Sequence, residues 1–135
     1  MVKNNSVLES NSVYKKCFLT VSCMVHFGEG YDEDCYEMAV IRYFISNVLD
    51  ERDINHHYEI SPILIDTFRS IPNNYRIYEN IFDDVLNPCI SFLENDNHIE
   101  AYRRYLTGRM HLEGMFEVKK HQRRKEMVLK RNKIN

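Results

Sequence analysis

The sequence has no tryptophan, only three prolines and only four glycines in 135 residues. So few glycines leave little material for a nucleotide cradle. No Gly-rich phosphate loop, Gly-x-Ser-x-Gly elbow or His-Glu-x-x-His helix occurs, which removes the commonest nucleotide-binding, hydrolase and metalloprotease signatures. No apolar run approaches the ~20 residues that a membrane span needs, and the first ten residues carry no apolar signal core. The four cysteines, Cys17, Cys23, Cys35 and Cys89, form no Cys-x-x-Cys pair. Free, partly buried thiols in a reducing, cytoplasmic setting are the expectation.

The chain does contain enough material for one core: 44% hydrophobic residues, with nine Tyr and seven Phe. Its length fits a single domain of roughly 100–200 residues. Charge is unevenly spread. Residues 1–90 carry seven Lys/Arg against fourteen Asp/Glu, and residues 91–135 carry eleven against six, which together give the net of −2. An acidic body with a basic end follows, the end suited to phosphates, acidic protein or a lipid surface.

Few breakers and many Leu, Ile, Met, Glu and Arg predict an all-α chain, a compact bundle of about six helices. The expected helices cover 13–27, 34–49, 61–71, 82–93, 99–110 and 115 into the tail. The first also has valines and a threonine that suit a strand, and Gly28 and Gly30 stop it. In the second, Met38, Ile41, Phe44, Ile45, Val48 and Leu49 form a core-facing stripe. Residues 50–57 read as a loop. Ser61-Pro62 reads as N-cap and first helical position, and Pro88 as an interior break.

Candidate chemistry is sparse. His56-His57 lack a partner set of the spacing that structural zinc uses, so no metal or cofactor is expected. Asp32-Glu33-Asp34 and Asp83-Asp84 are better explained as acids at helix N-termini than as acid–base pairs. Lys119, Lys120, Arg123, Arg124 and Lys125 form a cationic cluster for a membrane or acidic surface. Aromatics are not interleaved with them as base stacking would require, which disfavours nucleic acid.

Phe82-Asp83-Asp84, a helix to Leu93-Glu94-Asn95-Asp96, and Tyr102-Arg103-Arg104-Tyr105-Leu106-Thr107-Gly108 together resemble the regulator of G-protein signalling (RGS) domain. Ala39-Val40-Ile41-Arg42-Tyr43-Phe44-Ile45, Asp53-Ile54-Asn55, Val7-Leu8-Glu9-Ser10 and Phe18-Leu19 to Ser22-Cys23 resemble its upstream elements in the same order. The likeness covers residues 7–112 and gives an RGS-like domain over 7–116 with a basic helix or tail over 117–135. It starts at the family's third helix, so the first two would be missing.

The resemblance implies a bundle with no active site of its own that binds a heterotrimeric G-protein α subunit (Gα) and speeds its GTP hydrolysis. It implies that Asn55 faces the Gα switches from a loop, that Asp96 accepts from a switch backbone with Asn97 beside it, and that Arg104 braces that acid. Lys15 and Lys16 stand where the family has an acid and an amide. The basic tail would tether the chain weakly to the inner face of the plasma membrane. The alternatives are a scaffold that has lost GTPase activation and a basic-tailed nucleic-acid binder.

Overall fold

The computed structural model describes residues 16–134, with side chains as far as Arg131. All regular structure among them is helical, as the scarcity of breakers predicts. The helices are α1 (Phe18–Phe27), α2 (Tyr36–Asn47), α3 (Glu51–Arg69), α4 (Tyr75–Ile81), α5 (Asn87–Glu94), α6 (His98–Met115) and α7 (Val118–Ile134). A π-helical turn, Phe82–Leu86, joins α4 to α5 without a break, so the bundle has six helical bodies.

The strand alternative for the first segment fails. Phe18, Leu19 and Cys23 are buried along α1 at helical spacing. Gly28 and Gly30 follow it with φ of 79° and 88°, values that residues with a Cβ rarely adopt. The stripe on α2 turns inward as expected, with Met38, Ile41, Phe44 and Ile45 buried.

The segment expected as a loop at 50–57 is instead the start of α3. Asp50 caps it, its carboxylate accepting from the Asp53 backbone N–H at 2.8 Å, and Glu51 and Asp53 place acids in the positive first turn. The prolines exchange their expected roles. Pro62 lies inside α3, on the exposed side where its ring and missing N–H cost least. Pro88 opens α5 directly after the π turn. The turn is closed by the Asn87 N–H donating to the Phe82 carbonyl, one residue wider than an α-helix. In a regular helix an N–H at position 88 would serve the Asp84 carbonyl, but proline has none. Here Arg104 Nη1 donates to that oxygen at 3.3 Å.

The acids Asp83-Asp84 therefore sit in the middle of a continuous helical run and mark no helix start. Tyr78, Ile81, Phe82, Val85, Leu86, Cys89 and Ile90 form one buried stripe along that run.

The core gathers around Tyr105, which is fully buried on α6. Its ring lies 5.2 Å from Phe44 of α2, 5.7 Å from His57 of α3 and 6.5 Å from Phe18 of α1. Ser61 joins α1 to α3: it donates to the His57 carbonyl at 2.8 Å and accepts the Phe18 backbone N–H at 3.3 Å. That N–H is one of the unpaired donors of the α1 N-terminus.

Gly108 lets α6 lie directly on the π turn, because a Cβ there would overlap the methyls of Val85. Valine is stiff at χ1 and cannot swing aside. Gly108→Ala is therefore expected to destabilise the fold by about 1–3 kcal/mol despite alanine's better helix propensity. Adding Val85→Ala should recover part of the loss, as urea denaturation of the single and double variants would reveal. A Gly108→Ala protein as stable as wild type would contradict this close approach.

Candidate functional site

A polar seam runs between α3 and α6. Asp53 accepts from the Tyr102 hydroxyl at 2.9 Å and pairs with Arg109 at 3.5 Å. Arg109 also pairs with Glu113 at 3.1 Å, and Glu113 reaches back to His56 at 3.1 Å. The side chains of Arg109, Asp53 and Glu113 are only 11%, 15% and 14% exposed. Their charges are shielded from water and satisfy one another, which breaking any one partner would undo.

Beneath the seam lies His57, fully buried, with Nδ1 2.8 Å from the Tyr105 hydroxyl and Nε2 lacking a hydrogen-bond partner. Burial, and then the nearby Arg109 charge, pushes its pKa down to about 3. The imidazole is neutral at ordinary pH. His56 and His57 thus point apart, one into the seam and one into the core. Among the described residues, no three His, Cys, Asp or Glu side chains converge on a point fit for a metal. Cys17, Cys23 and Cys89 are buried free thiols. Burial raises all three, with Cys23 and Cys89 pushed up to about 12, so they are poor nucleophiles.

The residues singled out by the resemblance occupy distinct positions. Lys15 lies outside the described residues, and Lys16 is exposed just before α1. Asn55 is exposed on the first turns of α3, which corrects its placement in a loop. It opens onto a shallow polar depression with Glu51, Arg52, His56 and Glu59.

Asp96 sits in the turn before α6 with φ 58°, beside Tyr36, Tyr43 and His98. Its N–H donates to the Leu93 carbonyl and the Asn97 N–H to the Phe92 carbonyl, at 3.0 and 2.8 Å. This double closure ends α5 with Asp96 in the left-handed position usually held by glycine. Asn97 caps α6, accepting from the Glu100 N–H at 3.2 Å. Because Tyr102 reaches Asp53, the starts of α3 and α6 adjoin, and Asn55 and Asp96 flank neighbouring helix starts.

Arg104 lies elsewhere. It is two residues past Tyr102, roughly 200° around α6, and faces the π turn. Asp96 does not meet Arg104; Glu100, one turn before it, shares its groove instead. The three residues expected to form one docking surface therefore line three separate depressions.

The groove on this side of α6 has a volume of about 610 Å³. Ile81, Val85, Leu112 and Phe116 line its apolar part, and Arg103, Arg104 and His111 supply cationic or polar groups. It falls within the roughly 300–1,000 Å³ range of ligand and side-chain pockets. Neither this groove nor the polar seam stands out in the sequence. An Arg109–Glu113 spacing of four on a helix was the one legible signal of the seam.

The basic end is a helix. Val118 is fully buried, and Phe116 packs on Phe68 at 4.9 Å, so the joint between α6 and α7 is held against α3. Lys119, Lys120, Arg123, Arg124 and Lys125 are all exposed. Among the described residues, no helix is long and apolar enough to cross a membrane. No protein-family model, no curated protein and no solved structure matches the chain.

Two outcomes follow. The unfolded chain takes up a proton on His57 near pH 6.5 and the folded chain does not until about pH 3. The stability that His57 confers is complete above pH 6.5 and is lost as pH falls from there toward 3. At pH 5 the loss amounts to about 2 kcal/mol. Urea denaturation at pH 7 and pH 5 should show this slope in wild type and a slope shallower by that amount in His57→Gln. Asp96→Gly should keep the stability of wild type or raise it by up to about 1 kcal/mol, since glycine adopts the left-handed turn without strain. A drop in Tm would show that the aspartate side chain supports the fold.

Proposed function

We propose that this chain is an RGS-like helical module that docks on a heterotrimeric G-protein α subunit and has no active site of its own. The observation that supports the reading most is that segments carrying the resemblance, distant in sequence, pack on one another. Phe44 of the Ala39–Ile45 segment lies 5.2 Å from Tyr105. Asp53, beside Asn55, accepts from Tyr102. Arg104 donates to the Asp84 carbonyl of the Phe82-Asp83-Asp84 segment. Four of the segments that suggest the family thus contribute side chains that join α2, α3, the π turn and α6.

The physical logic suits a chain whose described Asp, Glu, Lys and Arg side chains are either exposed or held in structural contacts. In Gα the arginine and the water-orienting glutamine are already present, and the rate depends on how often the switch loops hold them in place. A partner that binds the transition-state arrangement more tightly accelerates the reaction by that difference, about tenfold for each 1.4 kcal/mol. Asn55, an exposed uncharged donor and acceptor, and Arg104, on the rim of the groove, are the residues assigned to this contact.

A second reading, a scaffold without GTPase activation, is favoured by one observation: Asn55, Asp96 and Arg104 open onto different depressions. The two readings separate on the nucleotide state of the partner. The activating module binds Gα carrying GDP and a planar γ-phosphate mimic more tightly than Gα–GDP, whereas a scaffold binds both alike. Arg104→Glu and Asn55→Ala are each expected to weaken binding to trapped Gα by about tenfold, read by titration calorimetry. Wild-type protein that neither binds trapped Gα nor changes single-turnover GTP hydrolysis would refute the G-protein reading.

A further inference from the structure

The sharpest electrostatic division in the molecule falls at the joint between α6 and α7. Residues 16–117 carry eight Lys/Arg against eighteen Asp/Glu, a net of −10, and residues 118–135 carry eight against one, a net of +7. The helix is also divided around its own axis. At roughly 100° per residue, Lys119, Lys120, Arg123, Arg124, Lys130 and Arg131 fall within an arc of about 140°. Met127 lies in the middle of that arc and is 60% exposed.

The opposite side is the seam toward α3, while at the start of the strip Lys119, Lys120 and Arg123 border a depression with Met110, Glu113 and Glu117 around the end of α6. Val118 is buried in the α3 seam, and His121 and Lys125 border a depression shared with Ile63, Asp66, Thr67 and Ser70 of α3. Lys125, expected among the contact cations, thus belongs to the body side, while Lys130 and Arg131 join the outward strip. Among the described residues, Arg123, Arg124, Lys130 and Arg131 pair with no acid. Within the strip Lys120 alone does, 3.7 Å from Glu117, and Glu126 borders the edge.

We infer that this outward face of α7 binds the surface of an anionic phospholipid bilayer, with the helix lying flat and the acidic body held away. Three observations select this occupant. The strip is straight and one-sided, about 18 Å from Lys119 to Arg131, so its six cations meet a plane together. Met127 at its centre, with Val128 just past its edge and also more than half exposed, offers apolar surface that acyl chains accept. From residue 117 onward there is no Phe, Tyr or Trp on which a base would stack, and His121 is turned toward α3. The side of α7 turned away from the strip is the one seated on α3 of the −10 body, so an anionic surface repels that body and orients the molecule. This contact does not rest on the G-protein reading, since none of its residues belongs to that surface.

Each cation near an anionic leaflet contributes about fivefold in partitioning, and the attraction fades beyond a Debye length. The test is co-sedimentation of the full chain with vesicles of phosphatidylcholine alone or with about 25 mol % phosphatidylserine. The expected result is binding to the mixed vesicles only, falling steeply with salt. Arg123→Gln with Arg124→Gln should weaken it at least tenfold, and Met127→Asp should weaken it further, whereas Lys125→Gln on the body side should have a smaller effect than either strip cation. Circular dichroism verifies that the variants stay folded. Equal binding to both vesicle types, no binding to either, or preferential capture by a DNA or RNA duplex at equal phosphate concentration would overturn the inference.

Discussion

The fold depends on one buried contact, the approach of the Tyr105 hydroxyl to His57 Nδ1 at 2.8 Å in a site closed to water. Around this pair stand Phe18, Phe44 and the Arg109 guanidinium, the last 5.5 Å from the Tyr105 ring centre. The contact sets how α3 meets α6, and the polar seam from Tyr102 to His56 lies above it in register. A polar pair in such surroundings is valuable only while it is satisfied, because an unpaired donor or acceptor there costs more than the bond returns. His57 is half-satisfied, its buried Nε2 lacking a hydrogen-bond partner. The site therefore tolerates only the neutral imidazole.

Much of the architecture was legible in the sequence. The spacing of Met38, Ile41, Phe44 and Ile45 identified α2 and its buried face, and Gly28 marked the end of α1. The start of α3 was missed because four polar residues, Asp50 to Asp53, resemble a loop. Their meaning was positional: Asp50 caps and Asp53 supplies the N–H it accepts. Asp83-Asp84 misled in the opposite sense. They look like a helix start, yet the apolar period continues through them from Tyr78 to Ile90 and marks them as the solvent side of a longer run.

The proline assignments failed for a related reason. Local rules say what Pro62 and Pro88 cost but not what relieves the cost. Relief at Pro88 comes from a wide turn and from Arg104, sixteen residues away in sequence. Likewise, the residues proposed to meet a partner could be named from sequence, but their relative placement depended on the rotation of α6. Tyr102 and Arg104, two positions apart, face α3 and the π turn respectively. The cationic tail shows the same limit. Its charge was plain, but only the burial of Val118 reveals which side of the helix is free, and so which cations form the outward strip.

Two surfaces result, separated by charge and by position: a groove and helix starts on the acidic body, and a cationic strip on α7. Both rely on the side-chain joint between α3 and α6, since α7 is seated on α3 and the groove is cut into α6. The most direct test of that dependence is a double-mutant cycle on Tyr105→Phe and His57→Phe, followed by urea denaturation. If the buried pair organises the two helices, the single losses will fail to add, with a coupling of about 1 kcal/mol or more. Losses that sum independently would contradict a structure built around that contact.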